Sequence, residues 1–543
     1  MRQIANPFFS LVLAELPRLL GQLNRNPASR AYGSFDRQYW HHRTNDISNA
    51  RKQEAFYTLA LLYAHPLPGN GYAGSPLLLS WINAALDYTL SIQHVNGSWD
   101  EWYVNESSFV TTSFVANAVA ETLLLLPRAS IPSYQRATLS LRRAADRVAP
   151  EKEHLVFNQT AGSAVALLNI FLVTGDERYR RASEMKIGEV LAGQTKEGWW
   201  SEYGGPDAGY LSLMIQYLSC YASKHDYPGL SSAIEKAEQF LLHFLQPDYT
   251  AGGEYMARNT EYLIPSGFLR RAQHDARAAA LAAFMIEGCR KGMGILPHVL
   301  DDTYLLYNCY NWCEAALLYE NAAVVESLRT ALPVSSFTPP TAFFPKAGLF
   351  RSQQDGTFFA CNVFKGGTFR FYTTKQGVAY DSGIEIVDHG VSLSTAILDY
   401  SNTATSADAI LTVRGRAKRI QEPVFSTLSM LAFKLYSVTF GRFLLLQKRT
   451  RAILRKLLIT YRRPERIEFE RSFSFEKGGI RVMDVLRNVP AGARVLAAAK
   501  ASYLLVPSSK FASAFEVEHR RLPISEEHEI TGNTHRIVRY FPI

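Results

Sequence analysis

Between Glu197 and Tyr217 the chain reads EGWWSEYGGPDAGYLSLMIQY, which sets tyrosine, tryptophan, glycine and acidic residues just ahead of an apolar helical stretch. Such a mixture suits a saccharide. Aromatic faces stack on pyranose rings, and glycines let the backbone come close to them. Here Tyr210 has the chemistry of a general base, and Tyr203 that of a second base or a stacking surface. Trp200 and Asp207 are candidate substrate contacts.

Other loops have the same character. NGSWDEWYVNESSF (Asn96–Phe109) offers Trp99, Asp100, Trp102, Tyr103, Asn105 and Glu106. GGEYMARNTEYLIPSGF (Gly252–Phe268) offers Arg258, Asn259 and Glu261. Arg258 can clamp a carboxylate by bidentate pairing, or can form an ion pair with Glu261. FNQTAG places Asn158 and Gln159 ahead of Ala161, where Asn158 also fits a helix N-cap. Arg43, Asn45 and Asp46 are weaker candidates. Asp100, Glu106, Asp207 and Glu261 could instead supply the carboxylate pair of a glycoside hydrolase, which needs a separation of roughly 5–9.5 Å.

The elements that must position these residues follow from periodicity. Through residue 330 apolar residues recur at three- and four-residue spacing, which predicts helices almost throughout. The polar, aromatic loops begin at Asn45, Asp100, Asn158, Asp207, Arg258 and Asn308, at intervals of 55, 58, 49, 51 and 50 residues. Two helices of about 11–20 residues and their loops fill such an interval. Six helical hairpins in a ring place all six loops at one mouth, so residues 1–330 are expected to form an (α/α)6 toroid.

Ala331–Pro345, with four prolines and no charge until Lys346, is expected to be a linker. Beyond it, GTFFACNVF, GTFRFYTT and RIEFERSFSFEKGGIRVMDVL alternate with period two, so residues 346–543 are expected to form an antiparallel β-sandwich. Residues 424–460 break that pattern with helical spacing and are expected to form a basic helical insertion. The fold class is thus α+β and multidomain.

A toroid followed by an antiparallel β domain resembles the heparinase II/III-like polysaccharide lyase superfamily. The resemblance is carried by FNQTAGSAVALLNIFLVTGDERY (Phe157–Tyr179), EGWWSEYGGPDAGYLSL, FPKAGLFRSQ and KGGTFRFY. It implies cleavage of an anionic, uronate-containing glycan by β-elimination. An Asn or His on one toroid helix would neutralise the uronate carboxylate, and a Tyr about one hairpin later would take the C5 proton. Asn158 and Tyr210 match that arrangement, with Gln159 and Arg258 assisting at the carboxylate. The resemblance also implies a histidine contributed near the β domain. His298 and His389 are the candidates, with His274, although none lies in a decisive motif. A non-catalytic glycan-binding protein of bacterial surface-polysaccharide assembly is the reading from another class.

Composition narrows the rest. Hydrophobic residues make up 47% and charged residues 20%, an ordinary globular balance. The five cysteines show no second pair that would complete a zinc pattern with Cys309 and Cys313, so no cofactor or metal is expected. The N-terminus lacks a secretory signal, and no apolar run reaches the ~20 residues of a membrane span, so a cytoplasmic location is expected. The net charge of +9 is concentrated between Arg414 and Arg466, where fourteen Lys/Arg face two acids. The rest of the chain gives no sign of nucleic-acid binding. Leu431–Ile459 interleaves apolar and basic residues and could lie on an anionic membrane surface, peripheral at the inner membrane.

Overall fold

The structure is a computed structural model that describes residues 6–354, 356–373, 377–407, 410–420, 426–455, 464–476, 478–497 and 525–542. Twelve helices form the N-terminal part: α1 (Pro7–Gln22), α2 (Ala55–Ala64), α3 (Pro76–Ser91), α4 (Phe109–Leu125), α5 (Tyr134–Val148), α6 (Phe157–Thr174), α7 (Glu177–Gly193), α8 (Ala208–Ala222), α9 (Leu230–Leu242), α10 (Pro265–Arg271), α11 (Ala276–Lys291) and α12 (Asp302–Tyr319). The even-numbered helices each pack on the next, and α12 packs back on α2. That closes an inner ring of six, backed by the odd-numbered helices. A short α13 (Ala322–Arg329) follows against α11 and α12.

The sequence dictates which helices go inside. α4, α6 and α12 are apolar nearly all round and bury residues on every face. α5 is amphipathic and buries one stripe, Ala137, Leu141, Ala144, Ala145 and Val148. α6 is the one described helix long and apolar enough to cross a membrane, and most of it is buried in the ring. Because the inner helices run parallel, their N-termini share one mouth. Side-chain caps fix several of these ends: Ser108 on α4, Asp207 on α8 and Asp301 on α12 each accept a backbone N–H.

The C-terminal part is antiparallel. β1 (Thr341–Phe344), β2 (Leu349–Gln354), β3 (Thr357–Asn362), β4 (Thr368–Thr373) and β5 (Gly377–Asp381) form one sheet in that order. β6 (Glu385–Asp388), β7 (Val391–Ser394), β8 (Thr403–Ala407) and β9 (Ile410–Arg419) belong to a second sheet. α14 (Thr427–Val438) and α15 (Leu444–Arg455) interrupt it, and β10 (Pro464–Glu476), β11 (Gly479–Arg487), β12 (Arg494–Leu496), β13 (Ser525–Thr531) and β14 (Thr534–Pro542) complete it. Its order is β12-β6-β7-β9-β10-β11-β14-β13, with β8 also on β9.

The sheets enclose an aromatic core in which Phe369 meets Phe473 and Phe541, each at 5.4 Å between ring centroids. A fully buried ion cluster crosses the same space. Asp381 of β5 pairs with Arg471 of β10 and Arg539 of β14, and both arginines also pair with Asp484 of β11.

Two boundary expectations change. The stretch read as a linker holds a helical turn at Val334–Ser336 and β1, whose residues pair with Leu349–Ser352. Prolines at 333, 339 and 340 flank those elements without preventing them. The sixth polar segment is not a loop: Asn308 and Asn311 lie within α12 and are buried. In the helical insertion, residues 424–425 and 456–460 fall outside the described residues.

Candidate active site

The third and fourth polar loops are zipped together at the mouth. Tyr203 N donates to Leu155 O at 2.9 Å, and Phe157 N to Ser201 O at 3.4 Å. This pairing brings the Glu202 carboxyl over the start of α6, where the Asn158 amide nitrogen donates to both of its oxygens at 2.8 Å. The backbone N–H of Asn158 points to the same carboxyl at 3.4 Å. Asn158 is therefore inside the helix, not its cap, and its donor is occupied. Burial pushes the Glu202 carboxyl up to about 8, against the opposing hydrogen bond from Asn158. Glu202 lay in the quoted sequence but offered no signal of this partner, 44 residues away.

The fourth and fifth loops are joined by Asp207. It accepts from the backbone of Tyr210 at 3.3 Å and of Arg258 at 2.9 Å, and from the Thr260 hydroxyl. Gly209 permits this contact, since a Cβ there would lie 2.4 Å from the Thr260 oxygen. Asp207 thus holds loops together and has no oxygen left for substrate. Tyr210 sits half-buried in the first turn of α8, with its ring edge-on to Tyr262 at 6.3 Å. Asn158 and Tyr210 occupy corresponding first turns of neighbouring inner helices.

Arg258 is nine-tenths buried, and its guanidinium carbon lies 4.6 Å from the ring centroid of Tyr203. Its Nε has no hydrogen-bond partner, and it makes no ion pair among the described residues. The expected Glu261 partner is taken. Glu261 pairs with Arg370 of β4, which also holds Glu254 at 2.7 Å and Gln246 at 2.9 Å. Another arginine, Arg51, lies 4.1 Å from the Tyr307 ring and is paired with Glu54 at 2.7 Å. Tyr203 itself takes a left-handed φ of 55°, a costly conformation for a non-glycine residue.

The β domain braces these loops from behind. Lys365 is buried and donates to Glu254 O at 2.7 Å, Met256 O at 2.6 Å and the Asn259 side chain. Burial pushes its ammonium down to about 7. Asn259 is thereby committed to the interdomain contact. Asn362 donates to Tyr255 O at 2.8 Å, and the Tyr400 hydroxyl to Gly204 O.

The second loop is largely spent on itself. Asp100 accepts from the backbone of Asn105 and Ser107, each at 2.8 Å, and pairs with His94 at 2.7 Å. Glu106 accepts from the backbone of Glu101 and Trp102 at 2.8 and 2.9 Å, and burial pushes it up to about 8. Trp99 and Trp200 are buried and offer no face to a sugar; their indoles donate to Thr89 O and Val190 O. Trp102 remains available, 66% exposed. Tyr103 packs on Phe433 and Asn105 donates to Ser437 O at 3.0 Å, so both hold α14. Gln159 stays half-buried beside Asn158.

The histidines lie elsewhere. His389 is at the exposed tip of the β6–β7 hairpin, paired with Asp388. His298 is exposed on a short turn packed against α1. Among the described residues no group of three His, Cys, Asp or Glu is placed to hold a metal ion.

Comparison with solved structures assigns the fold. The chain is similar to a Paenibacillus xanthan lyase, with a TM-score of 0.53 at 11% identity over 89% of this chain. That alignment spans 45% of the xanthan lyase. A chondroitin AC lyase of Streptomyces coelicolor A3 aligns at 9% identity over 89% of this chain and 70% of its own, with a TM-score of 0.48. The heparan sulfate lyase HepC of Pedobacter heparinus aligns at 12% over 90% and 69%, with a TM-score of 0.40. No protein-family profile matches the sequence, and no curated protein matches it. The fold is polysaccharide lyase-like, a helical N-terminal part followed by an antiparallel β part.

Proposed function

We propose that this protein is a polysaccharide lyase that cleaves an anionic, uronate-containing glycan by β-elimination. The observation that carries the reading is Arg258, a buried guanidinium that stacks on Tyr203 and makes no ion pair among the described residues, the Glu202 carboxyl feeling its charge only from further off. A buried cation is costly unless an anion meets it. A uronate carboxylate is an anion of the right shape for a bidentate guanidinium contact.

The chemistry then follows from the residues at the mouth. Arg258, with Gln159, neutralises the carboxylate so that the C5 proton becomes acidic. Tyr210 is the preferred base and Tyr203 the second candidate. A tyrosine serves as base when nearby positive charge favours its phenolate, and Arg258 lies over the ring of Tyr203, in the loop that leads to Tyr210. The proton leaves C5 to the phenolate oxygen, its electron pair forms the C4–C5 double bond, and the C4–O4 bond breaks. O4 departs with a proton from a tyrosine. Asn158 becomes a positioning residue that fixes Glu202.

The lyase reading is preferred to the hydrolase alternative because Asp100, Asp207 and Glu261 are engaged in the contacts above, as is one oxygen of Glu106. A panel of uronate polymers tests the proposal. The lyase product is unsaturated at C4–C5 and absorbs in the ultraviolet, and Arg258→Ala should abolish its appearance. New reducing ends without that absorbance would overturn the proposal in favour of hydrolysis. Binding without any product would favour a glycan-holding protein.

A further inference from the structure

The helical insertion carries a surface that the cleft does not use. Leu428, Leu431, Leu435 and Val438 are spaced 3, 4 and 3 residues apart on α14, which aligns them as one stripe. The stripe faces outward: Leu428 is 79% exposed, and Leu431 and Leu435 are each 64% exposed. Phe440 and Phe443 in the turn that follows, and Ile453 on α15, extend the exposed apolar surface. The opposite side of α14 is committed to the toroid through Phe433 on Tyr103, Ser437 O to Asn105, and Lys434 to Asp46 at 3.3 Å.

We propose that this face docks the protein on an anionic lipid bilayer. The occupant follows from charge. Between Glu422 and Glu465 the sequence holds nine Lys/Arg and no acid. Arg442, in the turn that follows the stripe, and Arg449, on α15, are exposed, and acidic headgroups would meet them while the leucines and phenylalanines enter the acyl boundary. The length of α14 sets the mode of binding. Its 12 residues span about 18 Å, short of the ~30 Å hydrocarbon core, so the helix lies along the surface and does not cross. Because its inner side touches the loop that carries Trp102, a docked protein holds the cleft mouth near the lipid. Glycan still tethered to that membrane is then the substrate within reach. This last point rests on the lyase reading, whereas the docking itself does not.

The test uses the full chain and vesicles of phosphatidylcholine with and without phosphatidylglycerol, read by co-sedimentation. Sedimentation is expected only with the anionic vesicles and should weaken as salt rises. Leu431→Glu with Leu435→Glu should abolish it, with the fold checked by circular dichroism. Arg442→Gln with Arg449→Gln leaves the apolar stripe intact and should weaken partition about 25-fold, about fivefold per residue. The proposal is overturned by failure to sediment with anionic vesicles, or by equal sedimentation with neutral ones. Sedimentation untouched by both variants overturns it as well. So does light scattering that shows a dimer dissociated by the Leu431→Glu change, which would assign the face to a second copy. Absence of lyase activity in a membrane-binding protein would count against the reaction alone.

Discussion

Arg258 lies 4.6 Å over the ring of Tyr203 and forms no ion pair among the described residues. Arg51 stacks on Tyr307 in a similar way but carries its own acid, Glu54. The contrast is the reason Arg258, and not Arg51, is the proposed contact for a substrate carboxylate.

Arg258→Met should therefore split two readouts. Turnover of a uronate polymer should fall about 10²–10³-fold, the range for loss of one donor to developing negative charge. Thermal stability should hold or rise, because removing an unpaired buried charge relieves a cost. A large drop in Tm would show that the guanidinium is structural.

Tyr210→Phe should lower kcat about 10²–10⁴-fold with little change in KM, as expected when a general base is lost. Tyr203→Phe keeps the ring under Arg258 and should be milder. Reversal of that order would assign the proton abstraction to Tyr203.

Glu202 sets a pH dependence with a definite sign. Its folded value, about 8, lies above the ordinary 4.5, so its contribution to stability is full below that ordinary value and is lost as pH rises through about 8. Tm measured from pH 5 to pH 9 should fall less in Glu202→Gln than in the unmodified chain. One unit of such a shift corresponds to about 1.4 kcal/mol, so the difference is on the order of a few kcal/mol. Equal slopes in the two proteins would refute the assignment.

Lys365→Met should destabilise the protein by on the order of 3–5 kcal/mol, because it strands three buried oxygens. Denaturant unfolding followed in both parts of the chain checks this.

The ring was legible in the sequence because polar, aromatic segments return about every fifty residues, even though the last of them lies within a helix. The site was legible only by residue type. Asn158 looked like a cap, and nothing local shows that Glu202 takes its amide from across two loops. Arg258 and Glu261 are three residues apart and read as a pair, yet Arg370 claims Glu261 from 109 positions away. Trp99 and Trp200 have the composition of sugar-stacking residues, but burial, which a sequence does not display, makes them core. His389 has the right residue type and sits on an exposed hairpin tip.

The contacts of Lys365, Asn362, Arg370 and Tyr400 have one more consequence. They reach the very loops that present Tyr203 and Arg258, so the sandwich works as scaffolding for that rim and not as an appended module. Trimming the chain to its helical ring would leave those loops without a wall behind them. On the lyase reading the smallest active unit is therefore the two parts together, with β3 and β4 belonging to the rim they support.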